Sequence, residues 1–253
     1  MTVVVAYKYA ANPQDASVGA DGVVDWSRAK ASVSEYDPVA IQIGRNLADA
    51  EGAELVGVSV GGAQVASSMA KKNAMSKGLD RGVVVADDET VEWNSTKVAS
   101  ALAGLVKKVD GVDIVLTGDS SIDEGAKMMS ALLAGFLGWP CFQEVTEVEK
   151  TGDGYTVTQA VAGGTRTVSV SGPVVVAVSA DAVTPKVPSM KDILAAGKKP
   201  VETVAVADVA PADVSLTVTG RSKPAAKARK NELFSGDDAA AQLVAALRSA
   251  GAL

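Results

Sequence analysis

The sequence predicts an α/β protein: a mostly parallel sheet with helices on both faces, an added antiparallel hairpin layer and an extended C-terminal arm. Three observations carry this. Short β-branched runs alternate with helical patterns four times before Pro140, which implies parallel strands joined by crossovers. Thr, Val and Ser then alternate on either side of Gly163-Gly164, the signature of a hairpin. From about Val204 the chain becomes Ala-, Asp- and Pro-punctuated, with little apolar content to form a core of its own.

In order along the chain, residues 3–7, 55–59, 82–86 and 114–117 read as buried strands, because Val, Ile and Leu dominate short runs. Residues 38–50, 63–77, 95–108 and 122–137 read as the intervening helices. Asp37 before Pro38 offers an N-cap acceptor ahead of a residue whose missing N–H costs nothing in the first turn. Ser121 with Glu124 has capping-box spacing. Residues 155–162 and 165–170 form the predicted hairpin, and 174–179 are apolar enough for one more buried strand. A proline-bracketed loop, 185–188, precedes a short helix over 189–196; a last helix is expected over 237–249.

Composition narrows the chemistry. Across 253 residues, 47% are hydrophobic but only 4% aromatic, so the core must be Ala and Val, and stacking platforms for bases are scarce. The 24 basic and 30 acidic residues leave a net charge of −6, which opposes attraction to phosphate backbones and predicts no nucleic-acid partner. No apolar run approaches the roughly 18–20 residues that span a bilayer, and the start lacks a basic signal-peptide head; the expectation is a cytoplasmic protein that is not membrane-embedded. There is no His, and Cys141 is the one Cys. A Cys/His zinc site and an intrachain disulfide are thereby excluded, and hydrolysis through a His base is excluded with them.

Strand ends at the carboxyl edge of a parallel sheet share a crevice, so the residues after Ala6, Ser59, Ala86 and Thr117 are the place to look for a ligand. Gly61 and Gly62 would let a backbone approach a ribose or phosphate, or serve a tight turn. The segment from Gly118 to Lys127 leads into a helix whose first N–H groups could hold an anion, although Asp119, Asp123 and Glu124 would repel one. The basic residues Arg221, Lys223, Lys227, Arg229 and Lys230 form a solvated face or a clamp on an acidic partner.

Gly118-Asp119-Ser120-Ser121-Ile122-Asp123-Glu124, continued by Ala134-Gly135-Phe136-Leu137-Gly138-Trp139-Pro140, resembles the electron transfer flavoprotein beta subunit. Tyr36-Asp37-Pro38-Val39-Ala40-Ile41, Ser76-Lys77-Gly78-Leu79-Asp80-Arg81-Gly82, Val187-Pro188-Ser189-Met190-Lys191 and Lys198-Lys199-Pro200-Val201-Glu202-Thr203 are ordered as in that family. Ala6-Tyr7-Lys8 and Ser179-Ala180-Asp181 bring the chain nearest to Fix-type members associated with anaerobic carnitine metabolism. The likeness covers about residues 1–205.

The resemblance implies an electron carrier subunit and not an enzyme. An alpha subunit would hold most of a shared FAD, a flavin dehydrogenase of the acyl-CoA dehydrogenase type would donate electrons, and a quinone oxidoreductase or similar acceptor would take them. It implies an AMP in the beta crevice, contacted at Ala6, Ser34, Val60, Asp123, Lys127, Met128, Met129 and Ser130. It implies a docking loop with Val187, Pro188 and Met190 facing the donor. Residues 1–203 are then the nucleotide-binding-like domain, and 204–253 an arm and helix for alpha-subunit contact. The chain departs from the family at Ser34, where Asn is usual, and at Lys127-Met128-Met129-Ser130, where an Asn-Gln-Thr-Gly-like run is usual. Its turn Ala10-Ala11-Asn12-Pro13 also differs from the Val-Pro-Asp-Thr-like turn of members that carry a second FAD. The competing class is a flavin-free α/β nucleotide-binding sensor acting as a homodimer.

Overall fold

A computed structural model describes residues 1–217, 219–220, 225 and 228–253. Arg221, Lys223 and Lys227 of the basic run lie outside the described residues. The chain divides into two units, Met1–Thr217 and Val218–Leu253.

The first unit opens with β1 (Thr2–Ala6), followed by a small excursion of two ribbons: β2 (Tyr9–Ala11) pairs β5 (Ala31–Val33), and β3 (Ser17–Val18) pairs β4 (Val24–Asp25). Then come α1 (Asp37–Glu51), β6 (Glu54–Gly61), α2 (Ser68–Met75), β7 (Arg81–Ala86), α3 (Ser95–Lys107), β8 (Val112–Gly118) and α4 (Met129–Leu137). Strands β9 (Cys141–Thr151), β10 (Gly154–Val161), β11 (Gly164–Ser171) and β12 (Val174–Val178) follow, then α5 (Met190–Ala196), β13 (Val201–Thr203) and the short α6 (Val206–Val209).

Nine strands form one sheet in the order β11-β10-β9-β12-β8-β1-β6-β7-β13. Strands β12, β8, β1, β6, β7 and β13 are mutually parallel, and β9 joins them through parallel pairing to β12. The predicted antiparallel hairpin is present as β10 and β11, and it continues the plane of the main sheet instead of stacking on it.

Alternation along each central strand feeds two separate cores, which is why the strands read as unbroken apolar runs. Val3, Val5, Leu55, Ile114, Leu116 and Val176 face Ile41, Leu47 and Met75 of α1 and α2. Val4, Val56, Val58, Val115 and Val175 face Leu102, Leu105 and Leu133 of α3 and α4. Val204 and Val209 also belong to the second core, so the stretch from Val204 to Val209 is an integral part of the first unit.

Three predicted helix starts are corrected. Residues 122–137 do not form one helix: a single turn closed by Gly125 N–H donating to Ser121 O ends at Gly125, whose φ of +64° is left-handed, and α4 begins only at Met129. Ser121 and Glu124 therefore make no capping box; among the described residues, Ser189 and Asp192 make one at α5. Asp37 does not cap α1, because its carboxylate is turned inward to the sheet. The region 63–77 is likewise interrupted: a 3-10 turn over Ala63–Ala66 gives way at Ser67, whose hydroxyl caps α2.

The second unit contains α7 (Ala239–Ser249), in which no residue is buried. Leu233, Leu243 and Val244 of this unit are exposed. Among the described residues, no helix is long and apolar enough to cross a membrane.

Candidate functional site

From β1 the chain moves to β6 and β7 on one side, then crosses back to β8 on the other. Adjacent strands that lead away in opposite directions leave a crevice beyond their carboxyl ends. A cavity of about 330 Å³ lies there, at the lower end of the roughly 300–1,000 Å³ found for small-molecule sites. Ala6 and Tyr7 after β1, Val60 and Gly61 ending β6, and Thr117 and Gly118 ending β8 reach it; α3 and the start of α4 complete the wall.

Asp37 organises the floor. Its carboxylate accepts from the Lys8 backbone N–H at 2.7 Å and from that of Gly118, tying the ends of β1 and β8 to the first turn of α1. Gly118 is required by this close approach, since a Cβ there would stand 2.6 Å from Asp37 Oδ1 and 2.9 Å from the Tyr36 carbonyl carbon. Burial raises the Asp37 pKa to about 7, against the opposing pull of the two backbone donors and the Lys8 charge. Burial, followed by the Asp37 charge, also holds the neighbouring Tyr7 phenol well above its ordinary value.

Three ion pairs, centred on Lys8 and Lys127, stand around the loop before α4. Lys8 Nζ lies 2.7 Å from Asp123 Oδ2; burial works to raise the Asp123 pKa, and the hydrogen bond and charge of Lys8 outweigh it, leaving that carboxyl below its usual range. Lys127 Nζ lies 2.6 Å from the buried Asp119 and 3.0 Å from Glu144. Hydrogen bonds to those two carboxylates raise the Lys127 pKa. Glu144 reaches Lys127 from a left-handed backbone, φ +54°, a conformation uncommon outside glycine. Gln143 beside it donates to Lys127 O at 2.9 Å and Ser130 Oγ at 3.1 Å, fastening the entry to α4.

Of the residues expected to contact a nucleotide, Ala6, Val60, Asp123, Met128, Met129 and Ser130 line the cavity. Ser34 and Lys127 do not. Ser34 is buried behind the wall, where its hydroxyl accepts from Ile122 N–H at 3.3 Å, and Lys127 is turned outward to its two carboxylates. Gly61 and Gly62 line the cavity, yet each already faces a neighbour of its own: a Cβ would meet Val65 at 2.7 Å in the first case and Asp88 and Val91 at 3.0 Å in the second. Val187 and Met190 are highly exposed and Pro188 is half-buried.

Asp37, Lys8, Thr117 and Trp93 also belong to the site. Asp37 carried a visible signal, an acid before proline, but capping explained it; Thr117 was visible only as a strand end. Thr117 lines the cavity, and its hydroxyl is buried with no hydrogen-bond partner among the described residues. A buried polar atom left unpaired in a residue that lines a cavity is a group that a polar ligand could satisfy. The family model described as electron transfer flavoprotein domain matches residues 21–209.

Proposed function

This chain belongs to the electron transfer flavoprotein domain family, and from that premise we propose that it is the smaller, beta-type subunit of a heterodimeric electron carrier. Among its relatives it is Fix-type, similar to members associated with anaerobic carnitine metabolism, and it works in the cytoplasm. Its partner, an alpha-type subunit, holds most of an FAD that supplies the reversible uptake of electrons. A flavin dehydrogenase of the acyl-CoA dehydrogenase type delivers them, and a quinone oxidoreductase or similar acceptor removes them. The chain is a carrier subunit, with no catalytic residue.

The observation that carries this reading is the convergence of Ala6, Val60, Asp123, Met128, Met129 and Ser130 on one cavity at the sheet's switch point. In it, AMP is held between the apolar Ala6 and Val60 wall and the first N–H groups of α4, where an anion is favoured. Asp123, fixed by Lys8, positions the loop over the nucleotide, while Ser34 and Lys127 hold that loop from outside. Val187, Pro188 and Met190 form the donor-docking loop; an exposed aliphatic anchor on a proline-stiffened turn suits transient docking. Residues 204–253 reach the alpha subunit, with Leu233 and Leu243 as apolar contacts.

Co-expression with an alpha-type partner, followed by heat release and mass spectrometry of bound nucleotides, tests this. FAD plus AMP in one heterodimer is the expected result. A stable, colourless homodimer that ignores the partner would refute the carrier reading in favour of a nucleotide-binding sensor. Two FAD per heterodimer would place a flavin in this crevice, and FAD alone would remove AMP from it.

A further inference from the structure

Thr117 closes β8 with Ala6 of β1 and Ala177 of β12 as its register partners. All three lie on the face that α3 and α4 cover, so the strands beside Thr117 carry only methyl groups at its level, where the residue lines the cavity. Thr117 is 3% exposed and its Oγ1 has no partner among the described residues. A buried hydroxyl left unpaired is a cost that Val, of nearly the same shape, would avoid. Nothing among the described residues therefore explains the hydroxyl.

The surroundings indicate what would. Asp37, Asp119 and Asp123 are among the residues that line the same cavity, while Lys8 is already engaged by Asp123 and Lys127 by Asp119 and Glu144. A phosphate, which only accepts hydrogen bonds when fully ionised, meets repulsion here; sugar hydroxyls and base amino groups bring donors to an acceptor-rich floor. We propose that Thr117 is a specificity-determining residue of the crevice, hydrogen-bonding the nucleoside part of the bound nucleotide, with the phosphate directed away from β8 towards the start of α4. This rests on the reading of the crevice as a nucleotide site.

The full-length chain, freed of bound nucleotide, is titrated calorimetrically with adenosine and with AMP, in wild-type form and as Thr117→Val and Thr117→Ser. The expected result is a loss of about tenfold in affinity for both ligands in T117V, the worth of one hydrogen bond in a buried site, with T117S within about threefold of wild type. Ligand-free T117V should melt at or above the wild-type temperature; if it fails to fold, Thr117→Ala takes its place with the same affinity expectation. Wild-type affinity in the hydroxyl-deleted variant, or a loss confined to AMP, overturns the role of Thr117 and leaves the nucleotide site standing. A wild-type chain that binds neither ligand overturns that site and the proposal with it.

Discussion

Replacing Asp37 by Asn should remove a pH dependence that this one carboxyl builds into the fold. Asp37 is 5% exposed, and burial raises its pKa from 3.8 to about 7. The folded state then holds a proton that the unfolded chain has already released, so stability is greatest in acid, falls as pH rises from about 4 to about 7, and is flat above. A shift of about three units corresponds to roughly 4 kcal/mol over the whole window, of which roughly 2.5 kcal/mol falls between pH 5 and pH 8. Lys8, Asp123, Tyr7 and Lys77 are the charged or titratable groups coupled to it, and all remain in Asp37→Asn. At pH 5 the protonated carboxyl still offers an oxygen to each of the two backbone N–H groups, whereas the amide sets its NH2 against one of them, so the variant loses roughly 1–3 kcal/mol there. By pH 8 that deficit should largely close, because the wild type alone has lost the protonation contribution. Urea unfolding of both proteins at half-unit pH intervals measures the difference. A wild-type-minus-variant stability that does not change between pH 5 and pH 8 would refute a buried, proton-holding Asp37.

Gly118→Ala should cost roughly 1–3 kcal/mol by overpacking, because the new methyl meets the Tyr36 backbone, at 2.9 Å from its carbonyl carbon; an unchanged urea midpoint would contradict this close approach. Gly104→Ala should destabilise by a similar roughly 1–3 kcal/mol, since its Cβ would stand 2.9 Å from Val209 Cα and push α6 off α3. Proteolysis after Thr203 should accelerate in that variant. Val187→Asp, at a side chain 85% exposed, should alter stability by no more than about 0.5 kcal/mol. The same change should slow flavin reduction by the donor about tenfold if the residue is a docking anchor, as stopped-flow measurements would reveal.

The alternating strands and helices were legible because burial on both faces imposes a simple rule, continuous Val, Ile and Leu in the strands, that needs no knowledge of neighbours. β6, β7 and β8 contain the predicted runs, and β1 contains all of its run but Tyr7. The crevice was legible to the same degree: parallel strands place their carboxyl ends together, and six of the eight expected contact positions line one cavity. The loop before α4 was less so. Ser121 and Glu124 have the spacing of a cap, but the left-handed Gly125 ends the turn and Lys8 draws Asp123 away, a contact between residues 115 positions apart in sequence.

The amino-acid order by itself determined the layered α/β build, the absence of imidazole and the family likeness, since each depends on residue type and local period. Tertiary structure alone decided that Asp37 serves the sheet and not its own helix, that Ser34 and Lys127 stand outside the cavity wall, and that Thr117 carries an unanswered hydroxyl. Those outcomes depend on which distant groups arrive beside a side chain and how much water they exclude. Desolvation and long-range pairing are properties of the packed chain, and no local pattern encodes them.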